Sequence, residues 1–237
     1  DLQGNLWRFD VDNLVLPNQG ALLLAKFQAN ATTPQPITTR PETVEVSGKP
    51  VIVVATGRYL GAADVEDTTQ QTIYAVKDSL TDTGLGDVRT NISMVKQTFT
   101  VSGNTATITK NPVNWTTNNG WWADLPHTGE RVFTNLALQF GVLSVATGIP
   151  NGDACSSGGS SWRYFLNATD GSGSLVNAGE LWSASSLIAG QSWVKLKDGS
   201  TIVVRPTTDG ALRGESGGNP PGSGSNPLRT SWRELAD

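Results

Sequence analysis

The chain has a single histidine, His127, and a single cysteine, Cys155, and these two counts restrict its chemistry from the outset. A serine or cysteine nucleophile needs a base within hydrogen-bond reach. His127 stands between Pro126 and Thr128 in a loop pattern, and nothing in the sequence sets it beside Cys155 or a serine, so it reads as a loop histidine. Structural zinc takes four soft ligands, which one His and one Cys do not supply. Ser156-Ser157-Gly158-Gly159-Ser160 is glycine-rich but leads into a strand pattern, so no helix aims its amides at a phosphate. Asp10, Asp12 and Asn13 offer oxygen ligands, yet an EF-type loop needs glycine at its sixth position, where this chain has Val15; the stretch reads as a turn at a strand end. Asp64, Glu66 and Asp67 read as a solvated connector. A glycosidase needs two carboxylates across a cleft, and the sequence singles out no pair among its 21 acidic residues. Eight tryptophans could build a sugar-stacking platform, but Trp7 and Trp162 lie on alternating strands and read as packing residues. Trp121 and Trp122 must point to opposite sides if extended, which makes one of them a candidate for exposure. Arg213-Gly214-Glu215 resembles an integrin-binding tripeptide in form alone, its glutamate being one methylene too long. No catalytic, cofactor-binding or metal-binding residue is assigned, and the chain reads as a non-enzyme.

Composition agrees with that reading. At 237 residues and 37% hydrophobic content the chain can bury a substantial core. Seventeen basic against 21 acidic residues give a net charge of −4, which provides no general attraction to nucleic acid or to anionic membranes. No apolar run reaches the ~18 residues of a membrane-spanning helix, and no basic-then-apolar start marks a signal peptide. Only 16% of residues are charged, while Thr, Ser, Asn and Gly abound, a balance that suits a secreted β protein. Cys155 is either buried and free or paired outside this chain.

The elements that would position these residues are strands. Trp7, Phe9 and Val11 alternate with Arg8 and Asp10. Ala21 to Phe27 is a short apolar run that Pro17, Pro34 and Pro36 bias toward strand. Ile37 to Val46 alternates around Pro41, which suggests a strand at a sheet edge or one with a bulge. Val51-Ile52-Val53-Val54-Ala55 is apolar throughout and predicts a strand buried on both faces. A connector from Arg58 to Gln71 precedes a strand at Thr72 to Lys77, and a hairpin is expected through Ser102-Gly103-Asn104. Trp115, Trp121 and Trp122 fall in a stretch that reads as a loop ending in Asp124-Leu125-Pro126. Trp193 to Arg205 reads as a hairpin with a type I′ turn at Asp198-Gly199.

An internal repeat organises these strands. Val51 to Gly57 and Val142 to Gly148 both close on Ala-Thr-Gly, and each resumes in an aromatic strand, Ile73-Tyr74-Ala75-Val76 in one copy and Trp162-Arg163-Tyr164-Phe165-Leu166 in the other. Gly4-Asn5-Leu6-Trp7-Arg8-Phe9-Asp10 supplies a third, partial copy of the aromatic strand. The two marks stand 91 residues apart (148 − 57), about twice the ~40–50 residues of a common propeller blade, so an insertion or an intervening blade is expected. About three units cannot close a ring, which takes ~4–8. The expected fold is all-β, a partial propeller over 1–206, followed by a flexible Pro/Gly/Ser-rich segment at 207–226 and a closing strand at 227–237.

Seven short stretches in order resemble the C-terminal propeller of the PilY-type proteins of type IV pili. They are Gly4-Asn5-Leu6-Trp7-Arg8-Phe9-Asp10, Gln35-Pro36-Ile37-Thr38, Thr56-Gly57-Arg58-Tyr59-Leu60-Gly61, Gln71-Thr72-Ile73-Tyr74-Ala75-Val76, Gly129-Glu130-Arg131-Val132, Cys155-Ser156-Ser157-Gly158-Gly159 and Ser231-Trp232-Arg233-Glu234-Leu235. The resemblance implies a modified propeller of about seven blades in the complete domain, displayed at the cell surface on a large envelope or secreted protein. It implies minor pilins at the pilus tip and the remaining blades as partners, and roles in pilus assembly, control of retraction, twitching motility and adhesion to host or abiotic surfaces. It also implies a calcium loop ahead of the strand leading to Gly4, hence upstream of Asp1, with no cofactor or metal inside this chain. The alternative is a sugar-binding or quinoprotein-like propeller.

Overall fold

The computed structural model describes residues 1–152 and 158–217. The candidates Cys155, Ser156 and Ser157, and the closing strand expected at 227–237, lie outside the described residues.

Among the described residues eighteen strands account for nearly all regular structure and there is no α-helix, in keeping with the expected all-β class. In chain order they are β1 (Asn5–Phe9), β2 (Ala21–Lys26), β3 (Gln28–Asn30), β4 (Thr33–Pro34), β5 (Glu42–Val46), β6 (Lys49–Ala55), β7 (Thr72–Lys77), β8 (Met94–Gln97) and β9 (Phe99–Ser102). They continue with β10 (Thr105–Ile108), β11 (Gly120–Asp124), β12 (Ala137–Gln139), β13 (Val142–Pro150), β14 (Gly159–Asn167), β15 (Gly179–Ser183), β16 (Ser192–Lys195), β17 (Thr201–Pro206) and β18 (Leu212–Ser216).

The strands sort into repeated antiparallel meanders. The second unit runs β5-β6-β7-β11 and the third runs β12-β13-β14-β15, every neighbouring pair antiparallel. Ahead of them β1-β2 repeats the last two strands of such a unit, and behind them β16-β17-β18 repeats its first three. Among the described residues the strands thus amount to about three four-stranded units with no closed barrel, a partial propeller-like arrangement. Register makes the repeat specific. Val54 faces Tyr74 across β6 and β7, and Val145 faces Tyr164 across β13 and β14, so the aromatic strand holds the same phase in both copies.

The wide spacing of the repeat has a simple cause. An insertion at 78–119 interrupts the second unit between β7 and β11 and contributes strands to two sheets. Strand β8 pairs in parallel with β11, and the β9-β10 hairpin extends the third unit beside β15. Its turn, Gly103-Asn104, joins Ser102 to Thr105 directly with Gly103 at φ 58°, a glycine-first hairpin turn as expected.

The apolar runs behave as β-branched, doubly covered strands should. β6 lies between β5 and β7, with Val51, Val53, Val54 and Ala55 buried, and Val142 to Ala146 of β13 is buried throughout. The strand expected at Ile37 to Val46 is shorter, Glu42–Val46, and of the two alternatives it takes the sheet edge as β5.

Four expectations change. Trp121 and Trp122 belong to strand β11 rather than a loop. They do point to opposite faces, but both faces are covered, so both are buried. Trp7, expected to pack, is 43% exposed beside exposed Phe9 and Val11, because the outer face of β1-β2 carries no neighbouring sheet among the described residues. At Asp198-Gly199 the turn is not type I′. Gly199 donates to the Leu196 carbonyl and is the only one of the pair at positive φ, which makes a type I turn followed by a glycine bulge. Finally, the stretch expected to be flexible from Thr207 begins with order, since Leu212–Ser216 is the third strand of its sheet.

Candidate functional site

The seams between units are where side-chain chemistry concentrates, and each alternating strand feeds two of them. Along β14, Trp162, Tyr164 and Leu166 join the large core shared with the second unit, while Phe165 turns to the small cluster beside the fourth. Along β7, Ile73 and Ala75 face that same large core, while Tyr74 and Val76 pack toward β1-β2.

Each copy of the repeat buries a tyrosine hydroxyl on a planar acceptor that enters from a segment ahead of the unit. Tyr74 donates to Gln35 Oε1 at 2.5 Å, and Tyr164 donates to Glu130 Oε1 at 2.7 Å. Gln35 and Glu130 are fully buried. The backbone matches as well: Gly57 N–H donates to Pro36 O at 2.8 Å and Gly148 N–H to Arg131 O at 2.9 Å. Gln35-Pro36-Ile37 and Glu130-Arg131-Val132 are therefore equivalent parts of the repeat. Their residue types do not match, yet their offset of 95 residues is close to the 91 of the Ala-Thr-Gly marks.

His127 belongs to this network. Its Nδ1 lies 2.8 Å from Glu130 Oε2 and its ring packs on Trp162 with centroids 4.3 Å apart. Glu130 Oε1 also accepts from Thr147 Oγ1 at 2.5 Å. A hydroxyl-activating triad places the imidazole between carboxylate and hydroxyl. Here the carboxylate stands in the middle, and the Thr147 and Tyr164 hydroxyls are buried, so the arrangement holds a seam together. Burial, reinforced by the Glu130 charge, pushes the Tyr164 hydroxyl well above its ordinary range; burial also raises Tyr74, to about 12.

The carboxylates considered as metal ligands face hydrogen-bond donors. Asp10 accepts from the backbone N–H of Gln19 at 2.8 Å and of Leu14 and Val15 at 3.2 and 3.3 Å, and the Gln19 bond leads in holding its carboxyl below the usual range. Asp64 accepts from Leu60 N–H at 2.8 Å, Gly61 N–H at 3.1 Å and Arg58 Nε at 2.6 Å, and is lowered chiefly by the Leu60 bond. The Arg131 guanidinium donates to the carbonyls of Gly129, Arg58, Asp64 and Asp67, so the acidic connector is fastened by an internal cation. No group of three or more His, Cys, Asp or Glu side chains is placed to hold a metal among the described residues.

The remaining candidates are absorbed by packing. Trp121 donates its indole N–H to Ala168 O at 3.0 Å inside the large core. Trp122 is capped by Arg89 at 4.5 Å and Lys96 at 4.7 Å, while Arg89 forks onto Asp124 at 2.8 and 3.2 Å. Arg213-Gly214-Glu215 lies in β18, and the Glu215 carboxylate is engaged by Arg205 Nη1 at 2.6 Å and Arg163 Nε at 2.9 Å. The described residues include no helix long and apolar enough to cross a membrane.

What fold and seams define is a partial, propeller-like β segment whose polar groups serve packing. Its sequence relatives are type IV pilus proteins of the PilY type, in line with the resemblance carried by the seven stretches. It is 30% identical over 207 residues to the Type IV pilus biogenesis factor PilY1 homolog of Xylella fastidiosa (strain Temecula1), covering 79% of this chain and 14% of that protein. To the Type IV pilus biogenesis factor PilY1 of Pseudomonas aeruginosa (strain PAO1) it is 29% identical over 217 residues, covering 72% of this chain and 19% of the relative. To PilY1 of strain UCBPP-PA14 it is 27% identical over 250 residues, covering 81% and 22%. The chain thus spans less than a quarter of the length of these relatives. No family model matches the chain, and no solved structure does.

Proposed function

We propose that this chain is a structural, non-enzymatic part of a type IV pilus biogenesis protein displayed at the cell surface. The observation that carries the reading is the similarity to PilY1 proteins over most of the chain's length. The hydrogen bonds of the seam support it: half-buried His127 and buried Glu130, Tyr74 and Tyr164 are engaged in contacts that join units. In this reading the segment completes a propeller whose other blades come from the same polypeptide. The exposed apolar face of β1-β2, bearing Trp7 and Phe9, stacks against the next blade as the opposite face stacks on the second unit. The assembled domain supports pilus assembly and opposes retraction together with minor pilins at the tip, contributes to adhesion and twitching, and takes its calcium from a loop upstream of Asp1.

The test is an in-frame deletion of these residues from the parent gene, scored for surface pili and twitching. Reduced piliation is expected. Intact pili and motility, together with loss of a hydrolase or dehydrogenase activity, would refute the reading.

A further inference from the structure

The seam between the third and fourth units brings together two arginines and two glutamates and leaves several donors unsatisfied. Arg163 of β14 and Arg205 of β17 meet at one carboxylate oxygen, Glu215 Oε1, at 2.9 and 2.6 Å. Both guanidinium carbons lie 5.1 Å from the Phe165 ring centroid, and Arg205 lies 5.0 Å from that of Trp182. The Arg205 side chain is wholly buried and that of Arg163 is 5% exposed. Arg163 Nη1, Arg205 Nε and the indole Nε1 of Trp182 have no hydrogen-bond partner among the described residues, and Arg163 Nε meets Glu215 at ion-pair distance without hydrogen-bond geometry. Buried donors left unpaired are costly, and these belong to two arginines that share one carboxylate oxygen and to the indole beside one of them, which calls for an acceptor.

We propose that this seam binds a small monatomic anion, with chloride the form it takes in chloride-containing surroundings, through Arg163, Arg205 and Trp182. The reading is independent of the pilus role proposed above.

Charge separates an anion from a water molecule here. Two guanidiniums share Glu215, and the second carboxylate, Glu180, accepts from Arg163 Nη2 at 2.6 Å while 39% exposed, so it neutralises the buried cations only in part. Burial, with the neighbouring Arg163 charge adding to it, pulls Arg205 down to about 10 despite its bond to Glu215. A water would satisfy donors without supplying charge, whereas a halide supplies both. The flanking Phe165 and Trp182 rings favour a single atom over a phosphate or a carboxylate ligand.

The experiment uses the parent protein that contains this chain. Crystals soaked in bromide should show an anomalous peak within hydrogen-bonding distance of Arg163 Nη1. The thermal midpoint should rise as chloride replaces gluconate at constant ionic strength. Trp182→Phe keeps the ring and removes one donor; since a hydrogen bond to a charged group contributes strongly, halide affinity read from the midpoint should fall about tenfold. A water at the site in bromide-soaked crystals overturns the proposal, as do equal midpoints in the two salts or an unchanged halide dependence in Trp182→Phe.

Discussion

Two seams flank the third unit, and they are built on opposite principles. The one toward the second unit is a broad apolar core in which Trp121, Leu143, Val145, Tyr164 and Leu166 interlock, with its polar groups confined to paired sites such as Tyr164 and Glu130. The seam toward the fourth unit has a small apolar cluster of Val142, Phe165 and Val203, flanked by Leu175 and Trp193, and sets beside it the charged Arg163, Arg205, Glu180 and Glu215. Strands β13 and β14 serve both, one face each. The same backbone repeat therefore stacks by two different forces: dispersion and dehydration on one side, pairing of buried guanidiniums with partly exposed carboxylates on the other. The first tolerates no cavity, and the second tolerates no missing partner.

The largest expected effect breaks the apolar seam. Trp121→Ala removes a wholly buried indole together with its bond to Ala168, and should destabilise the domain by about 3–5 kcal/mol in chemical denaturation. A loss under about 1 kcal/mol would mean that the two units do not depend on this core for their stacking.

Next is the ionic seam. Glu215→Ala leaves Arg205 buried without a carboxylate and should cost about 3 kcal/mol, whereas the double variant Arg205→Met with Glu215→Leu should recover most of that loss. If the double variant is no better than the single one, the charges contribute more than their pairing and the contrast between the seams needs restating.

These contrasts were only partly legible in the sequence. Val51 to Ala55 announces a doubly covered strand because β-branched residues occupy nearly every position, and β6 is one. The repeat was readable from Ala-Thr-Gly and the aromatic strand that follows. Burial of Trp122 was not, because it depends on β8 and on Arg89 from the 78–119 insertion, segments distant in sequence that alternation along β11 does not report. The role of Glu130 was hidden for a related reason: its partner in the repeat is Gln35, and a Gln-for-Glu exchange looks like variation until both are found accepting from a buried tyrosine. At Asp198-Gly199 the dipeptide was right for a hairpin, but loop length and not composition set the turn type.

A smaller effect comes from where consecutive units touch backbone to backbone. Gly57 has φ 150°, and a Cβ there would lie 2.4 Å from Val132 O and 2.6 Å from Val132 N, atoms of the segment that leads into the third unit. Gly57→Ala should cost about 1–3 kcal/mol, since a backbone neighbour cannot move aside as a side chain can. Gly48→Ala has no atom within 4 Å of its added Cβ, so it bears only its own turn strain at φ 73° and controls for the general cost of a positive φ. Equal losses in the two variants would show that the close approach between units contributes nothing.

The smallest effect is the most diagnostic of the paired tyrosines. Tyr74→Phe removes the donor to Gln35, and Tyr164→Phe the donor to Glu130; each should cost about 1–2 kcal/mol, with Tyr164→Phe the larger because its acceptor is a carboxylate. The same hydroxyls set an alkaline limit. Burial raises the folded-state pKa of Tyr74 from 10.0 to about 12, so the folded form holds a proton that the unfolded form releases first. That contribution is complete below pH 10 and is lost as pH rises through about 12; Tyr164, shifted in the same direction by burial and by Glu130, adds to it. Stability measured between pH 9 and about 12 should therefore fall steeply in the parent domain and less steeply in either Phe variant. Identical alkaline slopes in all three proteins would mean that the hydroxyls ionise as readily folded as unfolded, and the matched tyrosine sites would lose their place as the element that fastens each unit to the segment ahead of it.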